Sequence, residues 1–442
     1  RPNMLYRWMN YQQFVRSKQM RASNRTRLYS QYRQEQVQEK LSQLGIFSYM
    51  DMQYAPRDTT AACDTLDVTM QATFAKPLDA ELELNVVTKS NDQTGPGASF
   101  GVTRNNVFGG GESWNVKLKG SYEWQTGGGE KSSLMNSWEM GLSTSLTFPR
   151  VVFPHLGKRE FDFPAFRLYI NQLNRAKYYK LLSFGGNATY DFQPSRTSRH
   201  SITPFKLTFN VLQHQSEDFK EIAEANPALY VSLRNQFIPA MEYTYTYDNA
   251  SGRRIKNPIW WQSTVTSAGN ITSLIYRAFG KPFNEEDKSL LGAPFAQFVK
   301  LNTELRHLWN IDKNNAIASR MAVGALFTYG NATIAPYSEQ FYVGGANSIR
   351  AFTVRSVGPG GYHPEEGKYS YLDQTGTFRF EANVEYRFRI FKSFWGATFL
   401  DAGNVWLLRK DRKLLADGKE ARPNSQLRLK TFPKQIALGT GV

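Results

Sequence analysis

Long segments in which apolar and polar residues alternate occupy the chain from Leu78 onward. In the first of them, Leu82, Leu84 and Val86 alternate with acidic and amide residues. Because successive side chains of a strand point to opposite faces, a period of two predicts a strand with one apolar face. About thirteen such segments follow one another between clusters of Gly, Asn, Asp, Ser and Pro, and we predict no helix among them. The segments are 78–87, 100–103, 116–123, 140–148, 166–173, 185–192, 204–212, 239–247, 260–274, 299–308, 317–329, 378–390 and 397–406.

Several of these segments are longer than the strands of soluble proteins, which average about 5–6 residues. They approach or exceed the roughly 9–11 residues that a tilted strand needs to cross a bilayer. Trp114 with Trp124, and Trp395 with Trp406, lie near strand ends, as in the aromatic girdles at the two membrane interfaces. The pattern therefore predicts a mainly β fold, a transmembrane antiparallel β-barrel. A soluble β-domain stays open as the alternative, since its strands also alternate.

The composition is consistent with such a barrel and excludes several other classes. A mean hydropathy of −0.50 resembles that of a soluble protein, whereas 14% aromatic residues are too many for a polar linker. Alternation reconciles the two values, because half of each strand would face a polar interior. Arg320 interrupts the longest apolar run, at 316–330, so no membrane-spanning helix is predicted. The single Cys63 excludes an intrachain disulfide and a cysteine-based metal site.

Residues 1–77 show a different pattern and are predicted to form a small α+β unit. A helix is expected to begin after Ser30, a suitable N-cap, and to end at Gly45. Two strands are predicted at 46–54 and 64–74. The first residues of the chain lack the apolar segment of a signal peptide, so we expect a mature protein or a piece of a longer one.

The sequence contains no convincing catalytic motif. Three glycine-rich stretches, at 109–111, 127–129 and 358–361, lack the spacing of a phosphate-binding loop and are predicted to be turns. The five His residues lie far apart without a metal-ligand pattern, and no Gly-x-Ser-x-Gly motif occurs. A protein without enzymatic activity, metal or cofactor is therefore predicted. An outer-membrane lipase or protease that assembles its site from distant residues remains an alternative.

The net charge of +16 results from 54 basic and 38 acidic residues that are dispersed through strands and loops. No basic stripe follows a recognition element, so nucleic acid is not a predicted partner. Basic residues interleaved with aromatic residues fit contact with anionic lipid headgroups instead. Outer-membrane lipids are accordingly predicted partners.

The most specific motifs lie late in the chain, at 342–352, 355–359, 383–388 and 398–406. Together with the preceding α+β unit, they resemble the BamA/TamA superfamily of outer-membrane assembly factors, whose barrels follow periplasmic POTRA domains. In that family a long loop carries an Arg-Gly-Phe/Tyr tip that folds back into the barrel lumen. The matching tip here is Arg350, Ala351 and Phe352, preceded by Gly344 and Gly345. Because Ala351 replaces the glycine of the family, a positive φ would be less easily adopted at that position.

A guanidinium inside a barrel loses hydration and favours planar acceptors, and two acids are suitably placed to pair with Arg350. Glu385 and Asp401 lie in two consecutive predicted strands, and each is flanked by apolar residues that would face lipid. With the resemblance, we predict that Arg350 and Phe352 attach the loop to the barrel wall through Glu385 and Asp401. The alternative is that Asp401 begins an ordinary turn and Glu385 is a solvated lumen residue.

The resemblance also implies an architecture. Residues 1–77 would be the last POTRA domain and its lead-in, and residues 78–442 the barrel. The barrel of the family has sixteen strands, whereas this chain stops within a segment at 436–442, so we expect about two and a half C-terminal strands to be missing. The first strand would then lack its C-terminal partner and present an edge that carries Leu78, Leu82, Leu84 and Val86.

The function that the resemblance implies is the insertion, assembly or translocation of client proteins at the outer membrane of a Gram-negative bacterium. Client strands would pair with the first barrel strand at a lateral seam, without nucleotide. Expected partners are unfolded outer-membrane or secreted proteins, lipids, and a periplasmic or inner-membrane-anchored protein bound through POTRA domains in the periplasm. Within the superfamily, the sequence is more similar to the TamA-type branch than to the main BamA insertase. A passive porin or transporter, with inward charges lining a pore, is the alternative.

Overall fold

A computed structural model of the chain describes fifteen stretches of it, and the structural statements below concern these residues. The described stretches are 31–43, 45–58, 66–88, 93–125, 137–149, 163–175, 179–195, 197–216, 235–250, 255–284, 288–290, 292–331, 335–363, 374–409 and 422–442. The predicted N-cap Ser30 and the single Cys63 lie outside them.

The N-terminal part contains one helix and two strands, as predicted, with boundaries that differ by one or two residues. Helix α1 spans Gln31–Gln43, and strands β1 (Phe47–Pro56) and β2 (Leu66–Phe74) pair antiparallel. Val37 and Leu41 are buried at helical spacing and pack with the buried apolar side of β1. These residues form a small core within the unit.

Fourteen strands form one large sheet in which neighbours follow chain order, from β3 (Leu78–Thr88) at one edge to β18 (Ala437–Gly441) at the other. A short hairpin of β12 (Ser289–Leu290) and β13 (Ala293–Pro294) lies outside that order. The mainly β, antiparallel fold class is therefore confirmed. The strands of the sheet are β3 (Leu78–Thr88), β4 (Gln93–Asn105), β5 (Ser113–Gln125), β6 (Ser137–Thr147), β7 (Phe163–Arg175), β8 (Tyr179–Ser195), β9 (Ser198–Gln215), β10 (Gln236–Asp248), β11 (Ile259–Ala268), β14 (Phe298–Asn310), β15 (Asn315–Thr328), β16 (Phe378–Phe391), β17 (Phe394–Trp406) and β18 (Ala437–Gly441).

The apolar face of the long strands is the exposed one. On β14, Leu301, Leu305 and Trp309 are exposed four residues apart and so lie on one face, and β15 exposes Met321 and Phe327 six residues apart, also on one face. A soluble sheet buries such a face against a core, whereas a membrane-spanning sheet turns it toward lipid. The other face carries most of the ion pairs described below. Among the described residues, no helix has the length and apolar character needed to span a bilayer.

The prediction of one strand over 260–274, without a helix in this part of the chain, is wrong. Strand β11 ends at Ala268, and helix α2 (Asn270–Ala278) follows directly. Gly269 separates them with a φ of +69°, a left-handed conformation that a strand cannot continue through. The apolar residues Ile271, Leu274 and Ile275 are spaced for one helix face rather than for alternation.

Most strands of the sheet extend beyond the segments that alternation predicts. Strand β4 runs over thirteen residues, whereas alternation predicts a strand only at 100–103, because Gly95, Pro96 and Gly97 interrupt the pattern. Gly95 is nonetheless required in the strand, since an added Cβ would lie 1.7 Å from the carbonyl oxygen of Tyr122. The C-terminal segment forms β18, which pairs with β17 over five residues on each strand.

Candidate functional site: a loop attached to the sheet

The long connection between β15 and β16, residues 329–377, contains the predicted loop tip, Arg350, Ala351 and Phe352. Gly344 and Gly345 have φ values of +102° and +94°, which side chains other than glycine rarely adopt. A Cβ on Gly344 would also lie 2.1 Å from the carbonyl oxygen of Thr353. The backbone N–H of Gly345 donates to the carbonyl of Phe352 at 2.7 Å. The two glycines thus close a tight turn that presents Arg350 at its tip.

Apolar side chains on either side of Arg350 hold this turn against the sheet. Ile349 and Val343 have no exposed surface, and they belong to one core cluster with Leu326 of β15 and Val405 of β17. Phe352 is partly buried and packs against the same cluster. The loop therefore contributes to the core rather than lying free over the strands.

The Arg350 guanidinium forms a two-pronged contact with Asp401. Its Nε donates to Oδ2 and its Nη2 to Oδ1, each at 2.8 Å, and its backbone N–H also donates to Oδ2 at 3.0 Å. The third nitrogen, Nη1, donates to Glu385. The planar group stacks on the ring of Phe399, with 3.7 Å between Cζ and the ring centroid. Such a fork uses the geometry of arginine, which a lysine cannot reproduce.

Asp401 is completely buried and accepts hydrogen bonds from a fourth donor, Asn383. The Nδ2 of Asn383 lies 2.8 Å from Asp401 Oδ1 and 2.8 Å from the carbonyl oxygen of Ser348 in the loop. Strand register explains this arrangement, because Asn383 on β16 is paired directly with Asp401 on β17. A buried carboxylate is stabilised when its lone pairs are this fully used. Asn383 was not among the predicted site residues.

Glu385 is less buried than Asp401 and forms ion pairs with two arginines. Besides Arg350, it accepts from Nε of Arg387 at 2.7 Å, and half of the Arg387 side chain is exposed. Strand register pairs Glu385 with Phe399, and the neighbouring Val384 is exposed on the opposite face. The structure thus brings together Arg350, Glu385 and Asp401, with Asn383 and Phe399 as further members; we call these five residues the Arg350 cluster.

A second group of charges, which sequence reasoning missed, continues from this cluster along the same face. Arg320 on β15 donates to Glu304 at 2.9 Å, to Glu381 at 2.9 Å and to Asn383 at 3.1 Å. Glu381 is almost completely buried, and its other oxygen lies 3.3 Å from Arg379. Because Asn383 touches both Arg320 and Asp401, charged groups of β14, β15, β16 and β17 form one connected network with the loop.

Two cavities, of 650 and 470 Å³, border the loop tip. Arg320 and the tip residues 346–348 line both of them. The larger cavity is also lined by Glu385 and Arg387, and the smaller by Lys300 and Arg379. In the described part of the chain, no group of three or more His, Cys, Asp or Glu residues is arranged to hold a metal ion. The two linings combine these charged side chains with apolar surface.

Ala351 is not among the described residues with a positive φ, which agrees with the expectation that alanine adopts this conformation less easily than glycine. The left-handed conformations fall on Gly344 and Gly345, and on Arg355 with a φ of +60°. Ala351 instead lies against Gly439 of β18, where an added Cβ would be 2.7 Å from that of Ala351. The loop tip therefore touches the last strand of the sheet.

Gly439→Ala is expected to displace the loop tip from β18 and to destabilise the folded protein by about 1–3 kcal/mol, the usual range for overpacking. Ala351→Gly in the same protein should restore part of this loss, because it removes the opposing methyl group. Urea midpoints of the two single variants and the double variant would measure the compensation. A double variant no more stable than Gly439→Ala alone would contradict the contact.

The predicted edge residues form a separate group on β3, the edge strand of the large sheet. All eleven residues of β3 are exposed, on both faces of the strand. Leu82, Leu84 and Val86 expose about seventy per cent of their surface, and Leu78 slightly less (67%, 74%, 73% and 58%). Four large apolar side chains of β3, at positions 78, 82, 84 and 86, thus lie on one face, and Val87 lies on the other.

Comparison with known proteins places these features in a family. Residues 106–442 match the model of the Omp85 superfamily domain. Among solved structures, BamA from Haemophilus ducreyi lacking POTRA domains 1-3 is similar, with a TM-score of 0.57 and 15% identity over 92% of this chain and 69% of that one.

CdiB is also among the similar structures, with lower scores. CdiB from Acinetobacter baumannii has a TM-score of 0.49 and 12% identity over 89% of this chain and 61% of that one. CdiB from Escherichia coli has the same score and identity over 96% and 65%. None of the curated proteins has a sequence that matches this chain. Because the family match covers most of the sequence, the chain belongs to the Omp85 superfamily, whose members are outer-membrane β-barrel proteins of protein insertion or secretion.

Proposed function

We propose that this protein is a non-enzymatic outer-membrane assembly, insertion or translocation factor that receives client strands at the edge strand β3. The observation that carries the proposal is the position of β3 at one edge of the fourteen-stranded sheet, with all eleven residues exposed. An edge strand presents a row of backbone N–H and C=O groups that templates a further strand. Membership of the Omp85 superfamily supports this reading of the edge.

The free energy for such a step would come from the membrane rather than from a nucleotide. Unpaired backbone groups are unfavourable in hydrocarbon, so a client strand gains when its polar backbone pairs with β3. The apolar face of the client is then buried in lipid. The exposed residues Leu82, Leu84 and Val86 provide an apolar face next to which a client strand of the same alternation would continue.

The Arg350 cluster has a complementary role in the proposal. It attaches the loop to β16 and β17, and Ala351 touches β18, the strand at the other edge of the sheet. Strand β18 pairs with β17 over a short stretch, Phe399 to Gly403 on β17. The loop would therefore keep the wall beside that edge ordered while strands exchange at a lateral seam between the two edges.

The domain assignment extends the proposal to partners. Residues 1–77 would be the last POTRA domain, located in the periplasm, and residues 78–442 the barrel. Strands β1 and β2 each have an edge that periplasmic clients, or a partner anchored in the inner membrane, could extend. The role would be closer to that of the TamA-type branch.

Site-specific photo-crosslinking tests the proposed edge. A photoreactive residue at Leu84 is expected to capture an unfolded outer-membrane β-barrel client during its assembly, because the client strand would lie next to β3. The matched control is Leu305 on β14, a strand with neighbours on both sides, which is also exposed and apolar. Equal crosslinking at the two positions would contradict strand pairing at β3.

A passive porin or transporter is the second candidate, and the two cavities beside the loop, each lined in part by charged side chains, favour it. Single-channel conductance separates the two functions. Large and steady currents that do not change in Arg350→Ala would support a pore, in which the inward charges line the path of solutes. Small currents that increase when the loop is released would support the assembly factor.

A further inference from the structure

Helix α2 (Asn270–Ala278) has its apolar side turned outward. Ile271, Leu274 and Ile275 expose about half of their surface (50%, 54% and 53%), and Phe279, directly after the helix, exposes 84%. Spacings of three and four residues place these side chains on one face. In a helix packed on a soluble core, this would be the buried face.

The opposite face of α2 is polar, and Ser273 on it is completely buried. The Ser273 hydroxyl donates to Oε1 of Gln297 at 2.9 Å. The ammonium of Lys288 donates to the Ser273 hydroxyl at 3.1 Å and to the carbonyl oxygen of Phe283 at 2.6 Å. Tyr276 also donates to a backbone carbonyl, that of Ser289. These bonds fix the rotation of the helix about its axis, so the apolar face cannot turn inward.

The position of α2 in the fold identifies what covers that face. The helix follows β11 and precedes β14, two strands that are neighbours in the sheet and pair from Ile259 with His307 to Ala268 with Phe298. Both strands expose apolar residues, Val265 on β11 and Leu301 on β14. In an outer-membrane β-barrel protein such a face is in contact with lipid. The apolar surface of these strands and that of α2 are thus adjacent along the chain.

Charge on the helix agrees with a lipid neighbour. Arg277 lies in the last turn of α2, and Lys281 follows it with its ammonium 5.6 Å from the centre of the Tyr276 ring. Both side chains are exposed. Amphipathic helices at membrane interfaces combine a large apolar face with basic residues that meet anionic headgroups.

We propose that α2 is an interfacial helix that inserts Ile271, Leu274, Ile275 and Phe279 into the lipid leaflet at the end of the sheet where the long loop 329–377 begins. Its polar face forms hydrogen bonds with the protein, and its apolar face is buried among the acyl chains. The helix thus anchors the segment between β11 and β14 in the membrane. This role is independent of any client protein.

Fluorescence quenching in vesicles tests the proposal. A label sensitive to polarity is attached at Ile275→Cys, with Cys63→Ser, and the folded full chain is reconstituted into phosphatidylcholine–phosphatidylglycerol vesicles. We expect blue-shifted emission from this label. We also expect that lipids carrying a nitroxide at shallow depth, near the headgroup, quench it roughly twofold or more strongly than a label at the exposed control position Asn284→Cys. Iodide in the aqueous phase should show the reverse order.

Two results would overturn the proposal. A label at Ile275 that iodide reaches as readily as the label at Asn284 would mean that the face is in water. Protection from iodide without quenching by nitroxide lipids would mean that protein covers the helix. Heat-modifiable migration on gels verifies folding of each labelled variant, and Phe279→Cys, outside the helix, replaces Ile275→Cys if the latter does not fold.

Discussion

Arg350→Ala is expected to destabilise the folded protein by about 3 kcal/mol and to impair assembly of client proteins. Removing one member of a buried ion pair costs about 3–5 kcal/mol, and the lower end applies because 26% of the Arg350 side chain is exposed. The reason is Asp401, which has no exposed surface and would lose two of its charged hydrogen bonds. The backbone bond from residue 350 would remain. Heat-modifiable migration on gels and the amount of folded client barrels in the outer membrane measure the two effects.

Arg387→Ala is the matched control for this variant. Arg387 pairs with the same Glu385, but half of its side chain is exposed, and ion pairs with that exposure contribute at most about 1 kcal/mol. Arg350→Lys adds a second comparison, because it keeps the charge and loses the two-pronged geometry. If Arg350→Ala and Arg387→Ala were equally stable and equally active, the Arg350 cluster would have no part in stability or assembly.

The alternation of side chains predicted most of the large sheet, because a membrane-spanning strand has a strict physical requirement. Every second residue must be compatible with lipid, and the strands must be long, so the pattern in β14 or β16 is sustained over many residues. Alternation does not predict the first half of strand β4. There, Gly95 and Gly97 have no side chains that could show the alternation, and Pro96 between them is a residue that is rare within a sheet.

Helix α2 was missed for a different physical reason. The residues before Gly269 alternate, and those after it are equally apolar, so a pattern of period two can be continued through the boundary. Only the left-handed φ of Gly269 and the spacing of Ile271, Leu274 and Ile275 distinguish the two elements. A glycine before an apolar group spaced by three and four residues was the signal that could have identified the helix.

The candidate site shows the limit of reasoning from single strands. Alternation assigns Glu385 and Asp401 to the polar face, and the loop motif identifies Arg350. Which residue lies opposite which depends on register, and register depends on contacts between strands rather than on either strand alone. Asn383 pairs with Asp401, and Arg320 reaches Asn383 from β15. These cross-strand neighbours had no local sequence signal.

The two acids around Arg350 are expected to differ strongly in importance. Asp401→Asn should cost about 3–5 kcal/mol, because an amide nitrogen would face donors on Arg350 or Asn383 in a fully buried position. Glu385→Gln should cost only about 1–2 kcal/mol, since 18% of the side chain is exposed and Arg387 shares its charge. Urea unfolding with an unchanged slope would measure both values.

A double-mutant cycle determines whether these losses arise from the pairs themselves. Combining Arg350→Ala with Asp401→Asn should give a coupling of about 1–3 kcal/mol, because both changes remove the same two-pronged contact. Combining Arg350→Ala with Glu385→Gln should give a smaller coupling, since Arg350 makes one contact there instead of two. Equal couplings, or a larger coupling at Glu385 than at Asp401, would contradict the greater importance of Asp401.

Because Asn383 also donates to Asp401 and to the loop carbonyl of Ser348, Asn383→Ala should weaken the attachment of the loop even with Arg350 intact.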